Sequence, residues 1–234
     1  MQPMPEDWST AVAVVAHPDD LEYGVGSAVA RWTGQGKAVR YLLVTRGEAG
    51  IAGMHPDEVA PLRVEEERRS AAVVGVTEIE FLDHRDGVVE YGLPLRRDLA
   101  AAFRRLRPEV IVTMSFDLTW GDEGPVNHAD HRAVGLAVLD ACRDAANEWV
   151  FPDAGPPWSG IRDAYVATSR DPTHFADVSG SIDAGIASLR EHRAYIDGLG
   201  RDFDPDEFLR NVAGFVGMAA GCEYAVGFRR YPMG

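Results

Sequence analysis

Apolar residues fall along this chain in short runs separated by longer stretches in which they recur every three or four positions. The runs AVAVVA (11–16), VRYLLVT (39–45), EIEFLD (78–83), EVIVTM (109–114) and AYVATS (164–169) are rich in β-branched or aromatic residues and strand-sized. Segments 21–33, 59–75, 94–106 and 128–145 between them carry helical spacing. Strand and helix in alternation predict an α/β fold, a doubly wound, mostly parallel sheet with helices on both faces. The C-terminal third is less regular: a Pro/Gly stretch FPDAGPPWSG (151–160), helix-like runs at 181–195 and 205–219, and a final strand in EYAVGFRR (223–230). No internal repeat or second composition regime appears, so one domain, 1–234, is expected.

Composition narrows the function classes. With 46% hydrophobic residues among 234, the chain can bury one sizeable core. No run reaches the roughly 18 apolar residues of a membrane span, and MQPMPEDWST lacks the basic-then-apolar layout of a signal peptide. A soluble, cytoplasmic protein is the expectation. The formal charge of −14 opposes phosphate backbones and anionic lipids, which argues against nucleic acid and membrane partners and for a small-molecule substrate. Cys142 and Cys222 are too few for a disulfide framework and read as buried small residues. All but one of the 23 basic residues, Lys37, are arginine, a bias that a GC-rich coding sequence explains as well as anion recognition does.

The polar clusters follow the strands, where an open α/β sheet places its ligand site. HPDD (17–20) follows the first strand, RGEAG (46–50) the second, HRDG (84–87) the third, and NHADH (127–131) ends the long loop after the fourth. HPDD also reads as a helix start, and MHPDE (54–58) repeats it. Only the first copy directly follows a buried strand, which assigns His17 to chemistry and His55 to helix initiation or a loop over the site. If Asn127 caps a helix, His128 and His131 share one face at its start. His84, His174 and His192 read as ordinary core or surface histidines. His17, Asp20 and His131 then form a two-histidine, one-carboxylate set for one divalent ion, zinc first, although non-haem iron uses the same donors. The surplus carboxylate, Asp19, favours hydrolysis, because it can serve as a general base.

AHPDD with HADH, together with TRGEAG, FLDHRDG, THFADVS (173–179) and EYAVGFR, resembles the LmbE/PIG-L family of metal-dependent N-deacetylases, over nearly the whole chain and in the same order. The resemblance implies a Rossmann-like fold and hydrolysis of an N-acylated amino sugar. It makes His17, Asp20 and His131 the zinc ligands and Asp19 the base that deprotonates the attacking water. His128 would stabilise the oxyanion or protonate the leaving amine, and Asp130 would orient a histidine of the site. Arg46, Glu48, Arg85 and Asp86 are candidates for binding sugar hydroxyls, and Trp120 for stacking on a pyranose face. Each also has a local account: helix capping for Glu48 and Asp86, pairing with Asp83 for Arg85, packing for Trp120. The chain departs from the family at Val126, where some members carry tyrosine, at Val226, and at HRAY (192–195) in place of HxSQ. An amidase acting on a larger sugar conjugate and an inactive sugar-binding relative remain alternatives, and a homo-oligomer is compatible with all three.

Overall fold

The computed structural model describes residues 1–121, 123–200 and 202–233. In chain order its elements are β1 (Gln2–Pro3), β2 (Thr10–Val15), α1 (Asp20–Gly24), α2 (Gly26–Gly34), β3 (Ala38–Leu43), α3 (Pro56–Val73), β4 (Ile79–Phe81), α4 (Leu93–Leu106), β5 (Val110–Met114), α5 (Ala129–Ala146), β6 (Asp163–Ala167), β7 (His174–Asp177), α6 (Ile182–Leu189), α7 (Arg193–Gly198), α8 (Pro205–Ala220) and β8 (Ala225–Pro232). The strands form one sheet in the order β1-β7-β8-β6-β5-β2-β3-β4. All neighbours are parallel except β8, which runs antiparallel to both β6 and β7.

Two-residue periodicity divides the strands between two cores. Ala11, Ala13 and Val15 of β2 face one layer with Trp32, Ile186 and Leu209, which come from α2, α6 and α8. Val12 and Val14 face the other with Leu99 and Phe103 of α4 and Val134 and Val138 of α5. The doubly wound α/β architecture is therefore as expected. From β2 the chain passes to β3 and β4 on one side of the sheet and then to β5 and β6 on the other. The crevice beyond the carboxyl ends of β2 and β5 is thus the topological switch point.

Three readings need correction. The segments 21–33 and 181–195 are each two helices, broken at Val25 and at residues 190–192. The THFADVS segment contains a strand, β7, and the N-terminal Gln2–Pro3 pairs with it. Both are short, β1 at the sheet edge and β7 next to it, and their letters carry no alternation long enough to detect. Cys142 is buried as expected, but Cys222 is only partly so. Among the described residues no helix is long and apolar enough to cross a membrane.

Candidate active site

His17 leaves the end of β2 and meets residues from the β4 and β5 loops at the switch point. Its Nδ1 lies 3.2 Å from His131 Nε2 and 3.5 Å from Asp20 Oδ2, and His131 Nε2 lies 3.0 Å from Asp20 Oδ1. Three donors of two chemical kinds therefore face one another at edges of 3.0–3.5 Å, close to the roughly 3.3 Å that separates ligand atoms around a tetrahedral ion with bonds near 2.0 Å.

The far side of each imidazole is also fixed. His17 Nε2 sits 2.9 Å from Asp86 Oδ1 and 3.2 Å from Asp130 Oδ2. The backbone N–H groups of Gly87 and Val89 donate to Asp130 (2.7 and 3.1 Å), and that of Ala49 to Asp86 (2.8 Å). His131 Nδ1 lies 2.9 Å from Asn127 Oδ1, and the Asn127 amide donates to the carbonyls of Ser115 and Asp117. Such outer partners set the tautomer, leaving His17 Nδ1 and His131 Nε2 as lone-pair donors pointing into a shared space. Donor atoms of His17, Asp86 and Asp130, and separately of His17, His128 and His131, lie within 4.8 Å of one another.

Charge in this crevice is strongly redistributed. Burial opposes protonation of His17, but the carboxylates of Asp130, Asp20 and Asp86 outweigh it and raise its pKa well above the ordinary value. Burial likewise opposes ionisation of Asp20, yet His131 and His17 hold its carboxyl well below the usual range. Asp19 goes the other way: burial pushes it up to about 6 against the pull of Arg63. Burial and the neighbouring His17 lower the pKa of His128, whose Nδ1 accepts the Asp130 N–H at 3.4 Å, so its Nε2 carries the proton of the neutral ring.

His17, Asp19, Asp20, Asp86, His128 and His131 line one cavity of about 220 Å³. The other candidates, Arg46, Glu48, Arg85 and Trp120, are not among its lining residues. Glu48 caps no helix; its carboxylate takes the backbone N–H groups of Arg46 and Asp86 and ties the β3 and β4 loops together. Arg46, rather than Arg85, pairs with Asp83 at 2.8 Å, and Arg85 is exposed. Trp120 presents its ring edgewise to His131 at 5.8 Å between centroids. The cap of α5 is His128, not Asn127. His55 caps α3, accepting the Asp57 N–H.

Sequence reasoning missed four contributors: Asn127 as the partner of His131, Arg63 and Glu67 of α3, and Tyr195. Arg63 is buried, donates to the carbonyls of Pro18 and Gly47, and meets Asp19 Oδ2 at 3.1 Å. Gly47, at φ +65°, permits this approach, since a Cβ there would lie 2.5 Å from the guanidinium. Tyr195 lines the cavity with its ring 4.3 Å from the Arg63 guanidinium carbon. An arginine and a glutamate four apart on a helix read as a solvated pair, so no letter-level signal marks them.

The family described as PIG-L, GlcNAc-PI de-N-acetylase, matches residues 12–142. That span is more than half of the chain and carries every residue of the proposed ligand set. The chain belongs to the PIG-L family. A diacetylchitobiose deacetylase of Thermococcus kodakarensis is 28% identical over 236 residues, covering 97% of this chain and 84% of that protein. A 1D-myo-inositol 2-acetamido-2-deoxy-alpha-D-glucopyranoside deacetylase of Kineococcus radiotolerans is 29% identical over 245 residues, with 78% and 68% covered. The inhibitor-bound N,N'-diacetylchitobiose deacetylase of Pyrococcus horikoshii superposes with a TM-score of 0.85 at 26% identity, over 97% of this chain and 85% of that one. These PIG-L relatives are deacetylases, hydrolases of an amide bond.

Proposed function

We propose that this chain is a zinc-dependent, single-domain cytoplasmic hydrolase that removes an N-acetyl group from an amino sugar or a glycosylated small metabolite. The observation that carries the reading is the convergence of His17 Nδ1, Asp20 and His131 Nε2, each histidine backed by an acceptor on its other nitrogen. Those three residues would hold one divalent ion, and their nitrogen and oxygen donors suit zinc. When bound, the ion supplies Lewis-acid polarisation of the amide carbonyl and acidification of water.

The chain's own groups do the rest. Asp19 takes the proton of the attacking water and hands it to the leaving nitrogen, without which the tetrahedral intermediate reverts. His128 donates a hydrogen bond from Nε2 to the developing oxyanion. Asp130 and Asp86 both lie against His17 Nε2 and keep that ring in register; Asp86 also lines the cavity. Arg46, Glu48, Arg85 and Trp120 would act at the rim. Support for an amino-sugar substrate comes from the relatives' names.

The test is acetate release from N-acetylglucosamine and N,N'-diacetylchitobiose by the zinc-loaded protein. Asp19→Asn should lower kcat by about 10²–10⁴-fold while the metal stays bound. Full activity in that variant, with metal retained, overturns the base assignment.

A further inference from the structure

Helix α3 turns a polar face inward: Arg63, Glu66, Glu67 and Ser70 are all buried. Two of these, one turn apart, bracket the HPDD turn. Arg63 meets the Asp19 carboxylate, while Glu67 Oε2 accepts the Asp19 backbone N–H at 3.2 Å. Asp19 sits at φ +85°, ψ −28°, a left-handed conformation that a residue with a Cβ keeps only when its surroundings hold it there. Its side chain gives no cap bond to α1. Among the described residues the Glu67 carboxylate is the acceptor recorded for that strained N–H.

Glu67 is itself kept in place by a sequestered cluster. It is fully buried, and His192 Nε2 lies 3.7 Å from its Oε2 and 3.5 Å from Glu22 Oε2. Ser70 donates to Glu22 at 2.6 Å and shares a hydrogen bond with Ser188. His192, fully buried and with neither ring nitrogen hydrogen-bonded, supplies the facing charge or dipole from the α6–α7 break. The cost of sequestering so many polar atoms beside a reaction centre is accounted for if they fix the geometry of that centre.

We infer that Glu67, backed by His192, is a positioning residue that holds the Asp19 backbone in its left-handed turn and so aims the base at the attacking water. This rests on the assignment of Asp19 as base. The pair Glu67→Gln and Glu67→Asp separates reach from carboxyl identity, since glutamine is isosteric and keeps an acceptor at the same reach, whereas aspartate keeps the carboxyl group but withdraws it by one methylene.

Steady-state hydrolysis of N,N'-diacetylchitobiose is measured for both variants and for Asp19→Asn, with rates expressed per metal-loaded chain. Glu67→Gln should stay within about threefold of the parent kcat, and Glu67→Asp should lose about 100-fold in kcat with KM within about twofold, the scale expected of a small misplacement of a catalytic group. A parent-like kcat in Glu67→Asp, or an equal loss in Glu67→Gln, overturns the inference. Loss in Asp19→Asn beside an unaffected Glu67→Asp sinks it alone; full rate in Asp19→Asn removes the base assignment and this inference with it.

Discussion

His17 and His55 each precede Pro-Asp-Asp or Pro-Asp-Glu, and a shift of two residues in where the helix begins separates what they do. At the second copy Pro56 is the first helical residue and the imidazole of His55 caps it. At the first, Pro18 and Asp19 stand outside the helix, which starts at Asp20, and the Asp20 carboxylate folds back onto the His17 N–H at 2.9 Å. His55→Ala should therefore cost about 0.5–2 kcal/mol, as the loss of a cap does, with hydrolysis unchanged, read by denaturant unfolding. Asn127→Ala, which frees the His131 ring, should weaken metal affinity by about 10–100-fold, read by competitive chelator titration. The raised pKa of Asp19 gives the pH dependence its sign. As pH falls through about 6 the carboxyl takes up its proton and ceases to be a base, so kcat/KM falls below that value. A cation beside Asp20 favours the ionised form and moves the limb to lower pH. A pH–rate profile lacking this acid limb would contradict the role.

At the scale of elements, apolar periodicity located most of the strands and helices, because β2, β3, β5 and β6 are buried on both faces and write that burial as continuous apolar runs. It did not show the break in 21–33, where Val25 ends α1 and α2 begins so that Gly26 and Ser27 can approach α6. A Cβ at Gly185 would lie 2.0 Å from Ser27 Oγ and 2.8 Å from Ser27 N. Gly185→Ala should accordingly destabilise the fold by about 1–3 kcal/mol, the usual cost of overpacking, measured by urea unfolding. The inward polar face of α3 was equally hidden, since charged residues on a helix ordinarily mark its solvent side.

For the molecule as a whole, both cores share every central strand, so neither layer can persist without the other. Thermal unfolding of the metal-free chain should be one cooperative transition, and two resolved transitions would contradict the proposed single domain. Because the proposed ligands come from two segments far apart in the chain, His17 and Asp20 after β2 and His131 at the start of α5, chelation should abolish acetate release and lower Tm, and added Zn²⁺ should restore both in a concentration-dependent way.

The letters by themselves determined the α/β class and pointed to the chemistry, because hydrophobic alternation and the polar clusters after each strand are local features of the chain. They could not order the sheet: β8 enters antiparallel between β6 and β7, and nothing in EYAVGFRR encodes a neighbour 50 residues away. Nor could they reveal that Asp86 and Asn127 join Asp130 in backing the site histidines, or that Arg63 and Glu67 grip the HPDD turn. Each of those roles depends on a distance between loops that only the packed sheet brings together, and a buried charge is told from a solvated one by what surrounds it.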